Sequence, residues 1–136
     1  MADLSKHFHG AVAQKILLER EGKVLIVRNH GEDIWDLPGG HLDYGEKPLA
    51  GIAREVTEET GLTLSGIAPF LVSDFVSVRN GQTLVLIVYA AKAAEGEVVP
   101  QVDELAEVRW VGPGDISSLQ FFPEYKEALE KFFKVG

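Results

Sequence analysis

The segment PLAGIAREVTEETG, residues 48 to 61, constrains the fold more than any other part of the chain. It opens on Pro48, suited to a first helical position, and closes on Gly61, suited to a left-handed C-terminal cap. Between them Leu49, Ile52, Ala53, Val56 and Thr60 recur at i, i+3, i+4 and i+7 spacing, which predicts a helix with a buried stripe. Glu55, Glu58 and Glu59 are expected largely on another side, free of the core. Side chains three and four apart face each other, so these acids repel by roughly 0.2–0.5 kcal/mol per pair. A solvated surface would tolerate that repulsion, and a divalent cation would offset it. The surrounding sequence distinguishes the two.

The flanking segments read mostly as strands. HFHGAVAQKILLE and KVLIVRN, separated by Glu21 and Gly22, predict a hairpin, and HGEDIWDLPGGHLDYGE reads as a loop in which Ile34 to Leu37 pair briefly at an edge. After the helix, LTLSGIAPFLVSDFVSVRN and QTLVLIVYAAK read as strands joined at Asn80-Gly81, and AEVRWVG as another. From Pro123 to Phe133, Tyr125, Leu129, Phe132 and Phe133 at helical spacing predict a second packed helix. The expected fold class is α/β, a mixed sheet between helices, built as a single domain over residues 1–136.

Composition narrows the function. The chain has no cysteine, so thiolate metal sites and cysteine nucleophiles are excluded and any metal must be held by oxygen or histidine nitrogen. A formal net charge of −8 opposes binding to long nucleic acids, while a small phosphorylated molecule remains compatible because a metal supplies local positive charge. The longest apolar run, LVLIVYAA, is too short to span a membrane. The N-terminal stretch lacks the continuous apolar centre of a signal peptide, so the expected location is cytoplasmic.

Read outward from the acidic helix, residues 40 to 62 run Gly40, five residues, Glu46, seven residues, then Arg54-Glu55-Val56-Thr57-Glu58-Glu59-Thr60-Gly61-Leu62. This resembles the Nudix hydrolase signature G-x5-E-x7-R-E-U-x-E-E-x-G-U at every fixed position, with Val56 and Leu62 at the two aliphatic sites. The order of elements is similar to the family's α/β/α sandwich over nearly the whole chain. The resemblance implies a pyrophosphohydrolase dependent on Mg²⁺ or Mn²⁺ that cleaves a nucleoside diphosphate linked to another group. It implies Glu55 and Glu59 as metal ligands, and Glu58 as a further ligand or the base that orients water. The Gly39 backbone carbonyl would join the metal shell, Arg54 would orient the glutamates, and Glu46 would support that network. Glu104, in DELAEVRW, is similar to a late acid that serves as metal ligand or general base, with a solvated loop acid as the plain alternative and Asp103 and Glu107 nearby.

Substrate is less legible. Val76 to Arg79 contain neither the proline that marks ADP-ribose subgroups nor the tyrosine that marks dinucleoside polyphosphate subgroups, and an upstream coenzyme A pattern is missing. LPGGHLDYGE resembles members acting on nucleoside triphosphates, damaged ones included; ADP-ribose and NDP-sugars are the alternatives. The expected partner is a small nucleotide, with the protein a monomer or homodimer. Trp35, Tyr44, Phe70 and Phe75 read first as packing residues and secondarily as base-stacking ones. His7, His9, His30 and His41 lack metal-ligand spacing. A nucleotide-sensing module without turnover is the rival of another class. It would be expected to have lost one of the three glutamates, whose repulsion serves nothing without metal.

Overall fold

A computed structural model describes residues 10–76 and 83–136, the side chains of residues 73–76 and 83 excepted. The Asn80-Gly81 turn, His7, His9 and the Phe75 side chain fall outside that description. β1 (Ala11–Arg20) and β2 (Lys23–Asn29) form the expected antiparallel hairpin. Its turn takes positive φ at both Glu21 (51°) and Gly22 (78°), the twist that two-residue hairpin turns require. β3 (Gly39–His41) follows, then α1 (Pro48–Thr60), β4 (Leu64–Val76), β5 (Thr83–Ala93) and β6 (Leu105–Val111). A short 3₁₀ segment (Pro113–Ser118) leads to α2 (Pro123–Phe133).

The sheet runs β4-β5-β1-β2-β6, with β1 and β5 parallel and the remaining neighbours antiparallel. Strict alternation divides its side chains between two cores. Ile16, Leu18, Leu25, Tyr89 and Ala91 pack with Ile52 and Val56 of α1. Leu17, Val24, Ile26, Leu86 and Val88 pack with Tyr125, Ala128 and Leu129 of α2. The predicted α/β architecture, a mixed sheet carrying helices, is therefore present.

The detail that positions the site is a fork. β1 pairs with β2 only at its end, Glu19 with Val24 and Arg20 with Lys23. Earlier along the same edge, Ala13, Gln14 and Lys15 pair instead with His41, Gly40 and Gly39 of β3. Within the segment 30–46 expected as a loop, Gly39–His41 is instead a strand, because its glycines let bare backbone press against β1. A Cβ on Gly39, which has φ 138°, would overlap the Gln14 carbonyl. The expected edge pairing of 34–37 is present as bridges from Asp36 to Val27 and from Trp35 to Phe121.

Candidate active site

α1 has Pro48 at its start and Gly61 at φ 73° as its cap, with the Gly61 N–H donating to the Thr57 carbonyl at 2.8 Å. Two expectations about its faces need correction. Leu49 is 52% exposed, because the whole first turn, Pro48 to Ala50, lies outside the packed part of the helix. Glu59 is only 9% exposed. It stands at i+7 from Ile52 and i+3 from Val56, so the turn of the helix carries it onto the apolar stripe. Glu55 is half-buried and Glu58 exposed.

Burial acts on the carboxylates in the expected direction, since a low-polarity environment disfavours the charged form. Glu59 is pushed up to about 7, with Lys15 and the Gly39 N–H partly opposing and Glu55 reinforcing the rise. Glu55 is also raised, again by burial first. The Gly39 N–H donates to Glu59 Oε2 at 3.4 Å. A side chain on Gly40 would collide with the Glu55 carboxylate, so the box glycine leaves room for that oxygen beside β3.

Arg54 organises the other side. Its Nη1 donates to both carboxylate oxygens of Glu58 at 3.1 and 3.0 Å, and its Nε donates to Glu46 Oε2 at 2.9 Å. Its Nη2 reaches Asp43 at 3.4 Å and Glu55 at 3.6 Å. The Arg54 guanidinium holds the Glu46 carboxyl below the usual range, and the two glutamates drive Arg54 further towards its charged form. Among the described residues, no three acidic or histidine side chains are gathered as a metal cage. Arg54 holds Glu58 on the exposed side of the helix while Glu59 turns inward.

The remaining donor set still fits a hard divalent cation. Two desolvated carboxylates, Glu55 and Glu59, lie one helical turn apart, both against the bare Gly39-Gly40 backbone. Mg²⁺ takes one or two carboxylates and keeps water and phosphate for its other positions.

Glu104 is exposed in the turn before β6. Its carbonyl accepts from the His30 N–H at 3.2 Å, and His30 Nε2 lies 2.8 Å from the Val102 carbonyl. No hydrogen bond or ion pair joins the Glu104 side chain to the box carboxylates among the described residues. The turn is nonetheless tied to the site, because the Gln101 N–H donates to the Glu59 carbonyl at 2.9 Å. Glu107 is engaged elsewhere, paired with Arg109 at 3.0 Å and Arg28 at 3.4 Å. Trp35 is core, with the Arg109 guanidinium 4.9 Å from its ring centre; Phe70 packs edge-on to Phe132, and Tyr44 is fully exposed.

Sequence reading missed three contributors. Lys15 pairs with Asp36 at 3.2 Å and donates to the Leu37 carbonyl at 3.2 Å, bracing the segment that leads into β3. Asp43 joins the Arg54 network, and a Cβ on Gly51 would press on Glu46, so that helix glycine admits the loop acid. The available signals were a lysine inside an apolar strand and a glycine inside a helix, where it costs about 1 kcal/mol relative to alanine.

The forked sheet, the acidic helix and the bare glycine strand β3 agree with the hydrolase family the sequence resembles, and comparison with known proteins shows that family. The chain belongs to the NUDIX domain family, whose pattern matches residues 8–132, and is thus a hydrolase of pyrophosphate bonds. A MutT-like protein of Streptomyces ambofaciens is 30% identical over 115 residues, 83% of this chain and 70% of that one. A Bacillus subtilis protein named provisionally as an 8-oxo-dGTP diphosphatase is 29% identical over 117 residues, 86% of this chain and 75% of the relative. Among solved structures, the MutT NUDIX hydrolase of Burkholderia pseudomallei superposes with a TM-score of 0.77 at 26% identity, covering 90% of this chain and 98% of that one. No helix among the described residues is long and apolar enough to cross a membrane.

Proposed function

We propose that this Nudix hydrolase cleaves a nucleoside triphosphate, damaged forms included, to a monophosphate and pyrophosphate with Mg²⁺ or Mn²⁺. The observation that carries the metal-site reading is the pair Glu55 and Glu59, desolvated and facing the bare Gly39-Gly40 backbone, where a cation would offset the burial that raises both carboxyls. The triphosphate preference is supported by the B. subtilis relative and by the LPGGHLDYGE loop.

Glu55, Glu59 and the Gly39 carbonyl would hold the cation. When bound, it neutralises charge on the attacking and leaving oxygens and lowers the pKa of water. Glu58, on the solvent side of the same helix, would bind a second ion or take the proton of the attacking water. Arg54 orients Glu58 through two parallel donor contacts and links it to Glu46 and Asp43. Glu104, exposed in the turn before β6, is the candidate for the late ligand or base role.

Hydrolysis in ¹⁸O-labelled water of nucleoside triphosphates, NDP-sugars, ADP-ribose and dinucleoside polyphosphates tests both parts. The expected result is highest kcat/KM on a triphosphate with pyrophosphate released. Orthophosphate release from the triphosphate would contradict the bond assignment, and exclusive turnover of ADP-ribose would remove the substrate choice alone.

A further inference from the structure

Gln14 is a polar residue in the middle of an apolar strand, 2% exposed, on the face of the sheet that packs α1. Its Nε2 donates to the Tyr89 hydroxyl at 2.7 Å and to the Pro48 carbonyl at 3.0 Å. Those partners lie on β5 and on the first residue of α1, so a single amide ties the metal-binding helix to a central strand. The backbone of the same residue pairs with Gly40 on β3, and its carbonyl is the atom that excludes a side chain at Gly39.

Gln14 therefore touches both walls of the narrow gap between Gly40 and the Glu55 carboxylate: β3 through its backbone and α1 through its side chain. A core-filling residue would be apolar here, as Ile16 and Leu18 are on the same face. A buried amide persists where its hydrogen bonds fix a geometry that an apolar side chain leaves loose.

We infer that Gln14, with the Tyr89 hydroxyl as its anchor, is a positioning residue that sets the separation between α1 and the Gly39-Gly40 backbone of β3 and so tunes divalent-cation affinity. This rests on the metal-site reading above. It assigns Gln14 no contact with cation or substrate.

The test compares wild type, Gln14→Leu, Tyr89→Phe and the double variant as full chains, with Mn²⁺ alone as the probe. Free Mn²⁺ is followed by electron paramagnetic resonance, and melting temperature is measured without metal. Gln14→Leu should raise the Mn²⁺ Kd about tenfold, the scale seen when residues that orient metal ligands are removed. Tyr89→Phe should raise it about threefold, the worth of one hydrogen bond, and the double variant should be no weaker than Gln14→Leu because both act through one contact. In turnover, the Mn²⁺ concentration for half-activation should rise while kcat at saturating Mn²⁺ stays near wild type. A Gln14→Leu protein that melts lower yet binds Mn²⁺ with wild-type Kd would show a purely structural residue and overturn the inference. Should Gln14→Leu not fold, an unchanged Kd in Tyr89→Phe, which keeps the ring packing, would overturn it equally. Failure of the wild type to bind Mn²⁺ would remove the metal-site reading itself and this inference with it.

Discussion

α1 and α2 are near matches in construction and opposite in content. Each begins with proline in its first turn and ends on a left-handed cap, Gly61 at φ 73° and Lys134 at φ 57°, and they lie on opposite faces of one sheet. α2 buries Tyr125, Ala128 and Leu129, apolar side chains at helical spacing, so its sequence and its packing agree. α1 buries Ile52 and Val56 but places Glu59 and Gly51 on the packed side as well. A helix built only for stability would carry neither. The difference separates a helix that anchors the fold from one that gives up stability to hold charge near a bare backbone.

Glu59→Gln should break that contrast most strongly. The amide keeps shape but loses the charge that holds metal, and kcat/KM should fall at least about a hundredfold, beyond the scale of losing a supporting residue. Metal-free stability should not fall with it. Glu59 has a folded pKa of about 7 against an ordinary value near 4.5, so the folded state binds the proton more tightly. For this group, metal-free stability is highest below pH 4.5, declines as pH rises through the window to about 7, and is flat beyond. The Gln variant should lack that decline, and melting curves in chelator from pH 4.5 to 8 would show it. A wild-type curve no steeper than the variant's would contradict the buried-charge account.

Leu129→Ala on α2 should do the reverse. Removing a fully buried leucine leaves a cavity and should cost about 2–5 kcal/mol in denaturant unfolding, while kcat/KM per folded molecule at low temperature stays within about twofold. A large activity loss in well-folded protein would tie α2 to the site.

Gly40→Ala sharpens the comparison within the site. Gly40 does not have positive φ, and the atoms a Cβ meets belong to the movable end of Glu55, so the fold should survive. Mg²⁺ activation should weaken about tenfold as Glu55 is displaced. Gly39→Ala should instead destabilise the protein, because its neighbour is the Gln14 backbone and its φ is 138°. Equal behaviour of the two variants in melting and activity would dissolve the distinction.

The smallest effect is expected at Leu49→Ala. The side chain is 52% exposed, so stability should change by less than about 0.5 kcal/mol. A loss of several times that would restore Leu49 to the packed stripe.

Much of the architecture could be read from local pattern. Glu21-Gly22 marks a turn whose conformation few residue pairs adopt, Pro48 and Gly61 bound a helix by their own backbone preferences, and apolar, β-branched runs mark β1, β2 and β5 as strands. Arg54, Glu46 and Glu58 meet because helical spacing and a short loop bring them together. β3 could not be read this way, since three residues containing two glycines have no period of their own and pair only because β1 offers an edge.

What the sequence alone determined was the identity and order of the two helices and the longer strands, the spacing of the box residues and the chemical class those residues resemble, all of which depend on interactions within a few residues. Only the tertiary structure decided which acids are desolvated, that Glu59 turns inward while Glu58 and Glu104 stay in solvent, and that Gln14 and Lys15 brace the fork. Burial depends on what lies opposite a side chain, and opposite Glu59 stands β3, twenty residues earlier in the chain, whose approach local pattern does not encode.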